Sequence, residues 1–240
     1  TVMNRAKLDA IARSSGWLAL QPELFQDAVL GKASVVSFAA RAYVFHTGDE
    51  PGGVYGVLSG GFGIYIAGRD SSVSLGHVLR AGRWFGYGPA LTRVSRTLTF
   101  RTMEPSAAFF LPLAALDEIG SRNTDFMRRV CTMLAVAVDE AIATTVDLLI
   151  RRSDMRIAAI LLRVTGVEDG IGPSEPEGYI LTQTELAEMA NVSRDVVNRT
   201  LARFKAQGWV ALTYNRIAVR DPAALSGFAS GNTAANKNGS

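Results

Sequence analysis

Charged and hydrogen-bonding side chains are concentrated near the end of the chain, between Val192 and Arg220. These 29 positions hold six basic residues and one acidic residue, for a net charge of +5: Arg194, Arg199, Arg203, Lys205, Arg216 and Arg220 against Asp195. The whole chain carries only +3. Such a segment attracts a phosphate backbone, but a solvated helix face has the same composition. Charge alone therefore leaves both interpretations open.

The same segment has the pattern of two short helices across a tight turn. Thr182 and Glu185 have the spacing of a capping box, which predicts the start of the first helix. After a turn at residues 191–192, Ser193 is the predicted N-cap of a second helix that reaches Gln207. Gly208 then occupies the C-terminal cap position. Together these signals predict a helix-turn-helix.

The second predicted helix separates its residues by face at about 100° per residue. Apolar positions cluster on one side: Val197, Thr200, Leu201 and Phe204. The opposite side carries Arg194, Asp195, Asn198, Arg199 and Ala202. In a major groove, arginine can donate two bonds to guanine, asparagine can pair with adenine, and aspartate can accept from cytosine. An ordinary amphipathic surface helix would show the same division, so we weigh base reading together with the hairpin that follows.

That hairpin, WVALTYNRIAVRD, predicts strands at Trp209–Leu212 and Ile217–Arg220 and makes the unit a winged helix. Arg216 is expected at the wing tip, where it would meet a phosphate. The hydroxyl groups of Thr182, Thr184 and Ser193 complete the predicted DNA-binding set. Phosphate contacts position a protein on DNA, whereas base contacts specify the sequence.

Composition excludes several other kinds of site. The single cysteine, Cys131, excludes a disulfide framework, a multi-cysteine zinc site and an iron–sulfur cluster. The two histidines, His46 and His77, are too few for the clustered ligands of a metal-dependent jelly-roll enzyme. We therefore expect no metal site, no catalytic residue and no enzyme activity. The most apolar long stretch, Val130–Ile150, contains three carboxylates and is not expected to cross a membrane. The chain opens without a secretory signal pattern, so we expect a cytoplasmic protein.

The chain divides into three regions with different sequence patterns. Between Ala33 and Leu113, after a helical lead-in over Asn4–Leu30, short β-rich runs and glycine-bearing turns predict an antiparallel sandwich. One long helix with a continuous apolar stripe follows at Thr124–Arg152. The stripe could pack on the protein's own core or form a two-helix seam between subunits. The third region contains a short helix, an exposed loop at Val167–Gly178 and the winged helix. Residues Ser226–Ser240 are expected to be disordered.

This order of elements resembles the Crp/Fnr family of bacterial transcription regulators, over about Ala33–Leu225. The most specific match is VSRDVVNRTL, Val192–Leu201, which resembles the family's recognition helix. The resemblance implies that Arg194, Asp195 and Arg199 occupy base-reading positions. The family usually has glutamate where Asp195 stands. The shorter side chain reaches about one methylene less far, so we expect a half-site that differs from the TGTGA-like consensus.

The implied fold class is α+β, with an N-terminal antiparallel β jelly-roll (double-stranded β-helix), a long dimerisation helix and a C-terminal winged helix-turn-helix. We expect a cyclic-nucleotide-binding-like effector domain at residues 1–122 and the dimerisation helix at 123–152. The DNA-binding domain follows at 153–226 and a disordered tail at 227–240. The hinge that would carry a signal between the domains is expected near Arg152–Asp154.

The segment RAGRWFGYGPALTRVSRTLTFRTME resembles the family's phosphate-binding cassette. Nucleotide binders of the family carry a Gly-Glu, whose glutamate accepts the ribose 2′-hydroxyl, and an Arg-Ser or Arg-Thr that clamps the cyclic phosphate. Gly86, Arg96 and Thr97 match this pattern, but Tyr87 replaces the glutamate. Losing that charge-assisted bond would cost about 1.5–3 kcal/mol, or about ten- to a hundredfold in affinity.

A second departure lies in the long helix, where cyclic-AMP-responsive members place adjacent Thr and Ser against the adenine. Alignment through Arg156-Ile157-Ala158 places Ala141 and Ile142 there, and neither side chain is polar. We therefore expect an effector pocket that departs from the cyclic AMP pattern. A cyclic nucleotide, another small effector and no effector all stay open, and Arg96 could equally serve a structural ion pair.

The resemblance implies a homodimer that binds a palindromic operator in double-stranded DNA. RNA polymerase stays open as a further partner. The alternative is a cyclic-nucleotide-sensing interaction module whose winged helix contacts protein instead of DNA.

Overall fold

The computed structural model describes residues 4–69, 72–167 and 178–231. The chain divides into two compact units, Thr1–Ile66 with Val78–Glu140, and Ala67–His77 with Ala141–Ser240. None of the helices in the described ranges combines the length and apolarity that a membrane span requires. The domain limits expected from the sequence stay a prediction.

Two four-stranded antiparallel sheets make up most of the first unit, and residues 73–77 of one edge strand belong to the second unit. Their strand orders are β1-β8-β3-β6 and β2-β7-β4-β5. The strands are β1 (Ser34–Phe38), β2 (Tyr43–Phe45), β3 (Gly53–Ser59), β4 (Phe62–Ala67), β5 (Val73–Leu79), β6 (Trp84–Phe85), β7 (Thr99–Thr102) and β8 (Ser106–Pro112). The non-sequential order of neighbours is that of a jelly-roll sandwich, which confirms the predicted fold class.

Alternation along the strands sends side chains to two different cores. In β3, Val57 enters the sandwich interior, whereas Val54 and Leu58 face the opposite side. The interior is largely aromatic, and Phe85 stacks on Phe100 with ring centroids 4.4 Å apart. The sandwich is therefore filled by its own side chains.

Helices cover the outer face of the first sheet. They are α1 (Arg5–Ser14), α2 (Gly16–Ala19), α3 (Glu23–Lys32), α4 (Tyr87–Thr92) and α5 (Leu113–Arg122). Trp17 packs edge-on against Trp84 at 5.3 Å. Its indole Nε1 donates to the Arg129 carbonyl at 2.7 Å, which attaches α2 to the beginning of the long helix. The predicted helical lead-in is thus three helices, because Gly16 and Pro22 interrupt it.

The long helix, α6 (Phe126–Leu149), is two to three residues shorter at each end than its pattern predicts. Only Val130 and Met133 are buried in it. Seven of its other large apolar side chains are exposed: Met127, Leu134, Val138, Ile142, Val146, Leu148 and Leu149. The helix therefore does not bury its stripe within the chain.

The second unit contains the winged helix. Its elements are α7 (Ser153–Val164), β9 (Tyr179–Ile180), α8 (Gln183–Ala190), α9 (Arg194–Ala206), β10 (Val210–Thr213), β11 (Arg216–Val219) and α10 (Pro222–Ala229). The three strands form one antiparallel sheet in the order β10-β11-β9. The hairpin strands lie within one residue of their predicted limits. Most of the predicted loop at Val167–Gly178 lies outside the described residues.

The expectation of a disordered tail is wrong at its beginning, because residues 226–229 belong to α10. Phe228 packs against Phe204 at 5.5 Å and against Trp209 at 5.4 Å, so three aromatic rings hold the helix in place. The rest of the predicted tail, residues 232–240, lies outside the described residues.

Candidate nucleic-acid interface and effector pocket

The capping box at the start of α8 is confirmed. The Thr182 hydroxyl accepts from the Glu185 N–H at 3.1 Å, and the Glu185 carboxylate accepts from the Thr182 N–H at 2.8 Å. The same hydroxyl also donates to Glu185 Oε2 at 2.9 Å. The Thr182 hydroxyl is therefore engaged inside the protein, whereas Thr184 in the next turn is exposed.

The turn between α8 and α9 is as tight as the sequence predicts. Asn191 adopts the left-handed conformation with φ of 49°, which asparagine tolerates better than most residues. Ser193 then caps α9, and its hydroxyl accepts from the Val196 N–H at 3.4 Å. Gly208, with φ of 75°, follows the far end of the helix. Local backbone chemistry thus sets the angle between the two helices.

The faces of α9 separate as predicted. Val197, Thr200, Leu201 and Phe204 are buried against the unit. Arg194, Asp195 and Arg199 are exposed, so the structure brings these three together on the open face. Asn198 lies at the edge of that face. It is only partly exposed, and within the described residues its buried Oδ1 atom has no hydrogen-bond partner.

Arg216 was predicted at the tip of the wing, but other residues occupy the tip. The turn is formed by Tyr214, which is 92% exposed, and Asn215, with φ of 54°. Arg216 is instead the first residue of β11, and its Nη1 donates to the Gly178 carbonyl at 2.8 Å. Its guanidinium is directed to the protein because that carbonyl, beside β9, needs a donor. The exposure of Tyr214 was not predicted, because an aromatic residue in a hairpin gives no sign in the sequence that its side chain will face solvent.

A charged link joins the start of α7 to α9. The Asp154 carboxylate accepts from Arg152 Nη2 at 2.9 Å and from Arg203 Nη2 at 2.8 Å. Partial burial acts to raise the pKa of Asp154. Hydrogen bonds from Arg152, Arg203 and the Met155 N–H outweigh it and lower the pKa to about 2. Both guanidinium groups also lie near the Phe228 ring. The sequence analysis predicted a hinge near Arg152–Asp154 but did not predict this link.

Leu75 and His77 of β5 belong to the second unit and contact its helices. The Leu75 N–H donates to Glu188 Oε2 on α8 at 3.0 Å. The imidazole Nδ1 of His77 lies 2.7 Å from Arg163 Nη1, and Arg163 in turn pairs with Asp147 at 2.7 Å. This agrees with a structural role for His77. His46 is exposed, 3.7 Å from the carboxylate of Asp49, as expected of a solvated side chain.

Arg96, the predicted phosphate clamp, is buried in the first unit with only 3% of its surface exposed. Its Nη1 donates to the Gly86 carbonyl at 2.9 Å and its Nη2 to the Gly53 carbonyl at 2.8 Å. The guanidinium lies 4.0 Å above the Phe45 ring. Burial lowers its pKa, although Tyr55 and Asp49 act in the opposite direction. Both terminal nitrogens therefore already have acceptors.

The other predicted pocket residues have different surroundings. Gly86 is close, because a Cβ there would lie 2.6 Å from Arg96 Nη1, and its φ of 82° also requires glycine. Tyr87 packs instead against the apolar cluster outside the sandwich, where burial and Glu140 raise its pKa. Thr97 is exposed. Ala141 and Ile142 are exposed on α6, in the second unit.

Two known domain families match this chain, one in its N-terminal half and one in its C-terminal half. Residues 35–123 match the cyclic nucleotide-binding domain, and residues 155–228 match the Crp-like helix-turn-helix domain. A CRP-like cAMP-activated global transcriptional regulator from Mycobacterium tuberculosis is 23% identical over 216 residues, which is 89% of this chain and 95% of that protein.

Solved structures show the same fold. FixK2 from Bradyrhizobium japonicum superposes with a TM-score of 0.68 at 16% identity, over 82% of this chain and 96% of that one. A CRP-family transcriptional regulator from Thermus thermophilus gives 0.66 at 22% identity, over 81% and 96%.

The link through Asp154 predicts an unusual titration. A carboxylate with a lowered pKa stabilises the fold above its unfolded pKa and loses that contribution as the pH falls through the folded value. Asp154 should thus stay mostly ionised at pH 3, as read from its carboxyl carbon by NMR. Arg203→Gln should move the midpoint upward toward 3.8, the ordinary value. The matched control Arg151→Gln should not, and equal shifts in both variants would contradict the assignment.

Proposed function

The chain belongs to the Crp/Fnr family of transcription regulators, and from that premise we propose that it binds a palindromic operator as a homodimer through the N-terminal half of α9. The observation that carries this proposal is the exposed group of Arg194, Asp195 and Arg199 at the start of a helix whose opposite face is buried. Side chains that project from such a helix can enter a major groove. We infer a cytoplasmic location, because the regulator must reach the DNA that it reads.

Each exposed residue has a separate chemical role in this proposal. Arg194 and Arg199 donate to guanine O6 and N7, and Asp195 accepts from cytosine N4. A carboxylate repels phosphate, so its position among arginines favours base reading over a purely non-specific contact. Asn198 reads adenine from the edge of the face. The hydroxyl groups of Thr184 and Ser193 contact phosphates and so position the protein on the DNA backbone. Thr182 and Arg216 contribute by holding α8 and the wing in place.

Replacement of Arg199 tests base reading. Arg199→Ala should weaken binding to the preferred duplex by about 1–3 kcal/mol and relax selectivity at one base pair, because a bidentate contact is lost. The measurement is fluorescence anisotropy on a palindromic TGTGA-type duplex, a scrambled duplex and duplexes selected from a random library. Arg122→Ala, a surface arginine of α5, is the control. Equal losses for all duplexes would mean that Arg199 contacts phosphate only.

Homodimerisation rests on the uncovered stripe of α6. Leu134, Val138 and Ile142 recur at four-residue steps and are 37–56% exposed. A second copy of the same helix would bury this stripe in a two-stranded seam. It would also present two recognition helices about one DNA turn apart, which is what a palindromic operator requires. The sole cysteine, Cys131, is exposed and lies seven residues before Val138 on the same stripe.

A charge placed in the stripe should separate the subunits. Val138→Glu should convert a dimer to a monomer in light scattering, because two carboxylates would face each other in an apolar seam. Ala143→Glu, exposed on another side of α6, is the control and should remain dimeric. Mild oxidation should cross-link the wild type through Cys131, and Cys131→Ser should abolish the cross-link. A wild type that is monomeric at all concentrations would overturn the seam.

The effector site departs from the cyclic AMP pattern in this proposal. The relative from Mycobacterium tuberculosis is described as cAMP-activated, and residues 35–123 match the nucleotide-binding domain. In this chain, however, a cyclic phosphate would have to replace the Gly53 and Gly86 carbonyls as acceptors for Arg96. Of the three guanidinium nitrogens of Arg96, the buried Nε alone has no hydrogen-bond partner among the described residues. The site therefore does not fit a cyclic phosphate as it stands.

DNA affinity should accordingly change less than about twofold when saturating cyclic AMP is added. The measurement is anisotropy on the preferred duplex with and without the nucleotide, and adenosine serves as the control. Binding that requires cyclic AMP would contradict the prediction, because it would mean that the nucleotide displaces both carbonyls.

The alternative function is an interaction module whose winged helix contacts a protein. True DNA contacts release counterions, so affinity should fall steeply as salt increases. A flat salt dependence on every duplex would favour the alternative. RNA polymerase stays an open partner of the regulator.

A further inference from the structure

An open cleft lies beside the recognition helix, in the second unit. It has a volume of about 500 Å³ and is lined by residues of the hinge and of α9. Four of its lining side chains are arginines, Arg151, Arg152, Arg199 and Arg203, and one is an acid, Asp154. At neutral pH four positive charges therefore face a single carboxylate.

The arginines are not equally engaged. Arg152 and Arg203 share the carboxylate of Asp154. Among the described residues, Arg151 and Arg199 form no ion pair or hydrogen bond through their side chains. Because Arg199 is assigned to base reading, the guanidinium of Arg151 is the one that remains available. The N-terminal end of α7, which begins at Ser153 in the cleft wall, adds a favourable dipole for an anion. Arginine matches the oxygens of a phosphate group particularly well.

The position of the cleft on α9 distinguishes it from the base-reading face. Val196, Thr200 and Arg203 follow one another at steps of four and three residues, so they line one side of the helix. At about 100° per residue, this side lies between the buried face and the face that carries Asp195. A helix that enters a major groove has a sugar–phosphate backbone along its flank. The cleft occupies that flank.

We propose that this cleft binds a phosphate group, with Arg151 as its available ligand, and that the DNA backbone beside the half-site supplies it. This inference rests on the proposed function, which it extends to the hinge residue Arg151. Asp154 competes with the phosphate for Arg152 and Arg203. Occupation of the cleft therefore connects DNA binding directly to the hinge at the start of α7.

The first test is Arg151→Gln, which removes one charge from an exposed side chain. The dissociation constants for the preferred and the scrambled duplex should both rise by about threefold to tenfold, with their ratio unchanged, because a phosphate contact carries no sequence information. The slope of log K against log salt should become shallower by about 0.9. Arg122→Gln is the matched control. Unchanged affinity and slope would overturn the DNA backbone as the source.

The second test uses a substitution that should strengthen DNA binding instead of weakening it. Asp154→Asn keeps the shape of the side chain but removes the competing charge, so both duplexes should bind about twofold to fivefold more tightly. Structural damage at the hinge would weaken binding instead, and that result would overturn the proposal.

Inorganic pyrophosphate distinguishes a free anion from the DNA backbone. Calorimetry at constant ionic strength should detect only weak pyrophosphate binding to the wild type, and none to Arg151→Gln. If the variant loses tight pyrophosphate binding but keeps normal DNA binding, the cleft is a site for a free phosphate compound and the DNA source is wrong. If no duplex is preferred by the wild type, the proposed function fails. The loss of pyrophosphate binding in Arg151→Gln then still decides whether the cleft binds phosphate.

Discussion

The geometry of the second unit depends on the guanidinium of Arg156. A helix leaves its last carbonyl groups without partners, and two such ends come together here. Arg156 Nη1 donates to the Ile150 carbonyl just after α6 at 2.6 Å, and its Nε donates to the Ala190 carbonyl at the end of α8 at 2.7 Å. One side chain thus joins the residue that follows α6 to the turn of the helix-turn-helix, directly before α9.

Arg96 serves the fold of the sandwich in the first unit. Its guanidinium donates to two backbone carbonyls and covers the Phe45 ring. An arginine buried this deeply would be costly without acceptors. Its bonds to Gly53 and Gly86 tie the end of β6 to the start of β3. The same residue can therefore be required for folding even where no nucleotide is bound.

Local signals in the sequence were sufficient for the helix-turn-helix. Thr182, Glu185 and Ser193 act within one helical turn, so their roles follow from spacing alone, and the buried face of α9 follows from periodicity. Contacts between distant residues were not predictable in this way. Arg216 turns toward Gly178, which is 38 positions away, and Tyr87 packs outside the sandwich.

The helix α10 was missed although a signal was present. Asp221 followed by Pro222 is a typical helix start, and the Asp221 side chain accepts from the Ala224 N–H at 2.9 Å. Low complexity in the residues that follow concealed it. The aromatic partners of Phe228 lie on α9 and before β10, so only the folded chain brings them together.

The exposed stripe of α6 has a consequence for how such a regulator would respond in a cell. A chain that must pair before it binds DNA is governed by mass action, and below the dimerisation constant the number of pairs rises with the square of the number of chains. Doubling its synthesis would then raise operator occupancy about fourfold while occupancy is low. Because the guanidinium of Arg96 already has acceptors within the protein, the amount of the chain in the cell would then itself control operator occupancy.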